Sequence, residues 1–185
     1  MFVRSLSLGV AAVALLSSGA MAADLIIPTT PQPIYESAGF SWDGLYAGVE
    51  AGGLFNDTND TRGLIGAVVG VNFTVADPIV LGVELQGDYV FESDIGGDDA
   101  GLFLALGHVG AVVTDQVLVY AAGGFGAITA NGDSAGVYAL GAGVDFAVTD
   151  NVSVRGEILG LGNFDDANDD FFDAAKATVG VFYHF

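Results

Sequence analysis

Cysteine is absent from the 185 residues, so no disulfide framework, thiolate nucleophile or cysteine-ligated zinc site can exist, and stability must come from packing and pairing alone. Positive charge is nearly as scarce, with 4 Lys and Arg against 23 Asp and Glu and a formal net charge of -19. Such a chain offers a phosphate backbone no basic patch, which excludes nucleic acid as a partner. Beyond the first residues there is no charge-free apolar run long enough to cross a bilayer as a helix. The longest, Gln116 to Gly132, is broken by Gly123, Gly124 and Gly126, which argues against a helical bundle in a membrane. What is plentiful is hydrophobic residues, 52% of the chain, so greasy and acidic positions must be segregated in space. Glycine is plentiful too, at 28 residues, about twice its usual share of roughly 7%. Glycine is a poor helix former, and its abundance points to β structure.

The chain opens with Arg4, an apolar stretch from Leu8 to Leu16 and small residues ending in Ala20, Met21 and Ala22. This is the layout of a secretory signal peptide over residues 1–22, too short in its apolar part to span a bilayer as a helix. From residue 23 to Trp42 the segment containing Pro28, Pro31 and Pro33 lacks either periodicity and reads as an extended linker. Residues 43–185 then repeat one unit, about ten residues of β-rich sequence followed by a connection. The connections alternate between two kinds. Tight ones fall at Val75 to Pro78, Thr114 to Gln116 and Thr149 to Asn151; longer, acidic ones at Leu54 to Arg62, Phe91 to Asp99, Thr129 to Ala135 and Gly162 to Ala174. Three turns and four loops join eight strands, and the expected fold is all-β, an eight-stranded antiparallel up-and-down transmembrane β-barrel.

Within the strands the hydrophobic period is two. Leu81, Val83, Leu85 and Tyr89 alternate with Gly82, Glu84, Gln86 and Asp88; Leu45, Ala47, Val49 and Ala51 with Tyr46, Gly48, Glu50 and Gly52. The same alternation sets Val152, Val154 and Ile158 against Ser153, Arg155 and Glu157, and Leu140, Ala142, Val144 and Phe146 against Gly141, Gly143 and Asp145. Helical period fails in each. The fourth and fifth strands are apolar on both faces, and His108 is placed inward there.

A soluble barrel would turn its apolar face inside. Here the other face is the one built from glycine and a few charges, which suits the narrow interior of an eight-stranded barrel and leaves the apolar face to lipid. Of the acidic residues, Glu50, Glu84, Asp88, Asp145 and Glu157 take inward positions, and the others lie in loops, turns or the leading segment. None falls on the lipid face. Tyr89, Phe73, Phe146, Tyr183 and Phe185 sit near strand ends, where interfacial girdles form.

At these residues the chain resembles the OmpA-like and opacity-type small outer-membrane barrels, the porin-family surface proteins of alphaproteobacteria in particular. WDGLYAGVEAGG at 42–53, GAGVDFAVTDNVSVRGEI at 141–158 and the terminal VGVFYHF at 179–185 carry the resemblance. It implies inward charges at Arg155 and Glu157, and an assembly signal in Val179, Val181, Tyr183 and Phe185 that the barrel-assembly machinery reads. It also implies an outer-membrane location in a Gram-negative bacterium, with both termini periplasmic and with lipid and lipopolysaccharide as surroundings. One departure stands out: Leu104, Leu106 and His108 occupy the fourth strand, where relatives often carry inward arginines.

The candidate site is therefore an interior polar network of Glu50, Glu84, Asp88, His108, Asp145, Arg155 and Glu157. A buried ion-pair plug around Arg155 is the favoured reading and a narrow ion path the rival, because buried charges persist only when paired. The fourth loop carries Asp165, Asp166, Asp169, Asp170 and Asp173, enough oxygens for a divalent cation but without EF-hand spacing; a solvated loop is the simpler reading. No catalytic, cofactor or metal residues are assigned. Only His108 and His184 are available as bases, with no evident Ser and carboxylate partners, so the chain is expected not to be an enzyme. The leading expectation is a structural, surface-exposed barrel supporting envelope integrity. A diffusion channel and a periplasmic barrel binding an apolar ligand are the alternatives.

Overall fold

Every segment with a period of two becomes a strand, and successive strands pair as antiparallel neighbours. In the computed structural model, which describes residues 40–56, 61–91, 100–130, 132–164 and 171–185, the strands are β1 (Gly44–Asn56), β2 (Thr61–Ala76), β3 (Ile79–Val90) and β4 (Ala100–Thr114). They continue with β5 (Val117–Ala130), β6 (Asp133–Ala147), β7 (Val152–Asn163) and β8 (Ala174–His184). β1 also pairs with β8, from Tyr46↔His184 to Asn56↔Ala174, and this seam closes the barrel. With both edges of every strand occupied, no row of backbone N–H and C=O groups is left to face hydrocarbon. The shortest strand has 11 residues, enough for the 9–11 or so that a tilted membrane-spanning strand needs. The signal-peptide reading and residues 23–39 of the linker lie outside the described residues, as do Asp165, Asp166, Asp169 and Asp170.

The faces fall as the alternation requires. Val49, Val83, Leu85, Phe103, Phe125, Ile158 and Val179 project outward and are more than half exposed, and no outward strand position carries a charge. Phe73, Phe146, Tyr183 and Phe185 are exposed around the end that holds the chain terminus, with Tyr183 edge-on to Phe185 at 5.1 Å. In β4, Leu102, Leu104, Leu106 and His108 point inward. The inward glycines of β5 sit where the neighbouring strand comes too close for a side chain. A Cβ at Gly124 or Gly126 would run into the backbone of Ala105 or Phe103 on β4.

Two connections are clearly shorter than the sequence reading has them. The long loop expected over Thr129 to Ala135 does not exist: β5 runs to Ala130, β6 starts at Asp133, and Ala130 pairs with Asp133. Gly132, at φ 86°, supplies the positive φ that a two-residue hairpin needs. The loop over 54–62 is likewise shorter, because β1 extends to Asn56 and β2 begins at Thr61.

Candidate functional site: the barrel interior

Arg155 and Lys176 organise the polar interior. Arg155, on β7, uses its guanidinium as a fork: Nε donates to Asp145 Oδ1 at 2.8 Å and Nη2 to Asp145 Oδ2 at 3.0 Å. The register makes this pair, since Asp145 and Arg155 are direct cross-strand neighbours. Nη1 reaches across the barrel to Glu84 Oε2 on β3, at 2.7 Å. Three rings close around the same group, with Phe182, Tyr120 and Tyr46 centred 4.2, 5.2 and 5.3 Å from the guanidinium carbon. Such a bidentate, ring-stacked setting suits Arg and not Lys. Glycines make room for the rings: Tyr46 lies over Gly70 and Tyr120 over Gly143, where any Cβ would collide with them.

Lys176, on β8, holds the second cluster as a point charge. Its Nζ donates to Glu50 Oε1 at 2.6 Å, Asp88 Oδ2 at 2.6 Å and Gln86 Oε1 at 2.7 Å, while Thr178 Oγ1 donates to the other Glu50 oxygen at 3.1 Å. Gln86 joins the clusters, since its Nε2 donates to Glu84 Oε1 at 2.7 Å and Glu157 Oε1 at 2.8 Å. Tyr46 and Tyr120 hydroxyls donate to Glu84 at 2.6 Å and Glu157 at 2.7 Å. One hydrogen-bonded network thus runs from Asp145 to Asp88. Elsewhere in the lumen Leu102 and Leu104 of β4, Val137 and Ala139 of β6 and Leu159 and Leu161 of β7 are buried in a single apolar cluster.

All seven sequence-selected residues are buried inside the barrel, but they do not form one group around Arg155. Glu50 and Asp88 belong to Lys176. Glu157 has no cation within ion-pair distance among the described residues, and is held by Gln86 and Tyr120. His108 meets no carboxylate among the described residues: its Nε2 lies 2.9 Å from Asn72 Oδ1, and its ring lies 5.1 Å from that of Tyr120. Lys176 itself was missed. Its signal is in the sequence, because the inward parity of His184, Gly180 and Thr178 extends back to position 176.

The arrangement has one pair with the composition of a nucleophile and a base: Ser153 Oγ lies 3.0 Å from His184 Nε2. Ser153 is fully buried, and no described carboxylate meets His184 Nδ1, so the pair lacks both access and an orienting acid. Val179, Val181, Tyr183 and Phe185 of the terminal segment are exposed on the outer face.

An outward apolar belt on a closed eight-stranded barrel agrees with the comparison by sequence, in which a family model described as "Outer membrane protein beta-barrel domain" matches residues 8–185. The chain belongs to this family. It is a surface or envelope protein of the Gram-negative outer membrane, and the alternative of a soluble periplasmic barrel is set aside. Among solved structures, Ail, the attachment invasion locus protein of Yersinia pestis, is similar at 13% identity and a TM-score of 0.52, covering 77% of this chain and 97% of its own. Neisserial surface protein A is similar at 12% identity and a TM-score of 0.52, covering 78% of this chain and 98% of its own. At this identity they speak for the fold. No curated protein matches the chain.

Proposed function

We propose that this family member is a structural, surface-exposed barrel that supports envelope integrity, with its lumen closed to all but water or small ions. The observation that carries the reading is the Arg155 cluster. A guanidinium bound to carboxylates on β6 and β3, and ringed by side chains of β1, β5 and β8, ties most of the wall together across the lumen. Opening a path there requires separating desolvated charges from their partners, which is costly. The buried leucines of β4 and β7 add an apolar barrier.

In this reading the short turns and both chain ends face the periplasm and the acidic loops face outside. Lipid and lipopolysaccharide are the neighbours of the belt, divalent cations can bridge the acidic loops to them, and Val179, Val181, Tyr183 and Phe185 present the strand that the assembly machinery reads. The barrel carries out no catalysis. What supports that is the burial of Ser153 beside His184 and the engagement of His108 by Asn72.

A narrow cation path is the second reading. It draws on the excess of inward carboxylates over Arg155 and Lys176, and on Glu157 lacking a cation among the described residues. Planar-bilayer recording of the pure protein separates the two. The closed barrel gives no steps of open-pore size, and regular steps of that size would overturn it.

A further inference from the structure

The four residues ahead of β1 do not leave the barrel as a free tail. Trp42 belongs to no strand, yet it is only 5% exposed. Its ring sits edge-on to Phe40 at 4.5 Å and to His184 at 5.9 Å. Phe40 is itself edge-on to His184 at 4.6 Å, and His184 stacks on Tyr46 at 5.4 Å. Tyr46 in turn donates to Glu84. A column of rings therefore descends from the terminus-side mouth onto the ionic layer.

We propose that Phe40–Asp43 is a hinged stopper, folded into the terminus-side mouth and able to leave it without unfolding the barrel. The hinge is Gly44. Its φ of 114° is open to glycine and strained for any other residue, and it is the first residue of β1, paired with Asn72 of β2, where the turned-in strap joins the strand. The latch is Asp43, whose carboxylate accepts the backbone N–H of Thr74 on β2. The seat is His184, held by Ser153 Oγ and placed by the seam pair Tyr46↔His184. What holds the strap is ring packing plus one latch. The buried indole Nε1 of Trp42 has no hydrogen-bond partner among the described residues, which lowers the cost of releasing it, because water satisfies the N–H outside. The strap closes the opposite part of the lumen from Lys176, so it acts independently of whether ions cross the middle of the barrel.

Trp42 is the sole tryptophan, so its fluorescence reads the strap directly. The test uses the full chain refolded into phosphatidylcholine vesicles, with acrylamide as a quencher from water and acyl-brominated phosphatidylcholine as a quencher from the membrane. A seated stopper is shielded from both. Gly44→Val raises acrylamide quenching severalfold, towards that of the unfolded chain, while the unboiled protein keeps the fast gel mobility of a closed barrel. Phe40→Ala, which leaves the hinge intact, gives the same shift should the valine variant fail to fold. Strong quenching of the parent protein by acrylamide would show the strap free in water, and strong quenching by the brominated lipid would show it on the membrane face. Either result overturns the proposal, as does unchanged acrylamide quenching in a folded hinge variant. None of these outcomes depends on conductance, so the stopper and the closed-lumen reading fail separately.

Discussion

Arg155 and Lys176 sit in the same barrel and are equally buried, but they are held in different ways. Arg155 lies in the middle of the wall, forked onto one carboxylate, bridged to a second and enclosed by three rings. Lys176 is the third residue of β8, close to the loop end, and meets three oxygens, with no ring over it among the described residues. The difference teaches that geometry does the work at the first site and charge at the second. A planar fork fixes the relative positions of β7, β6 and β3, whereas an ammonium only neutralises carboxylates that converge on it.

Three substitutions break or sharpen that contrast. Arg155→Met should be the most damaging, about 3–5 kcal/mol, because Asp145 and Glu84 are left buried without a cation. Urea unfolding followed by the loss of fast gel mobility measures it, and adding Asp145→Asn and Glu84→Gln should recover much of the loss by removing the stranded charges. Lys176→Met should cost less, about 2 kcal/mol, since water at the loop end can reach Glu50 and Asp88 once the ammonium is gone. Equal midpoints for the two variants would erase the distinction drawn here. Thr178→Val should cost least, about 1 kcal/mol, for one hydrogen bond to a carboxylate that keeps its lysine; the same urea midpoint reads it, and a loss rivalling that of Lys176→Met would make the hydroxyl, not the ammonium, the main support of Glu50.

How far the interior was legible follows from what alternation can carry. A period of two assigns a face, and it puts Glu84, Asp145, Arg155 and even His108 of the apolar β4 on the inward side, where each is buried. It does not say which inward residues meet across the lumen. Arg155 and Glu84 are 71 positions apart and on non-adjacent strands, and their meeting depends on the stagger of the strands around the barrel. Glu157 and His108 reach Arg155 through a neutral group, since both meet Tyr120, whose ring covers the guanidinium. Gln86 looked like one more inward polar residue of β3; only its position between Glu84, Glu157 and Lys176 makes it the link. The short β5–β6 hairpin was missed because Asp133 and Ser134 read as loop chemistry, while cross-strand pairing from Thr129↔Ser134 outward kept them in the ladder.

What the sequence determined by itself was the number of strands, their faces and the choice of lipid as the solvent for the apolar side, because each depends on local alternation and on where charge is absent. Tertiary structure alone decided the partition of the charges between Arg155 and Lys176, the bridging role of Gln86 and the turn of Trp42 into the mouth. These depend on closure: once β1 meets β8, the stagger sets which side chains share a level. The space inside is then too small for any of them to avoid the others.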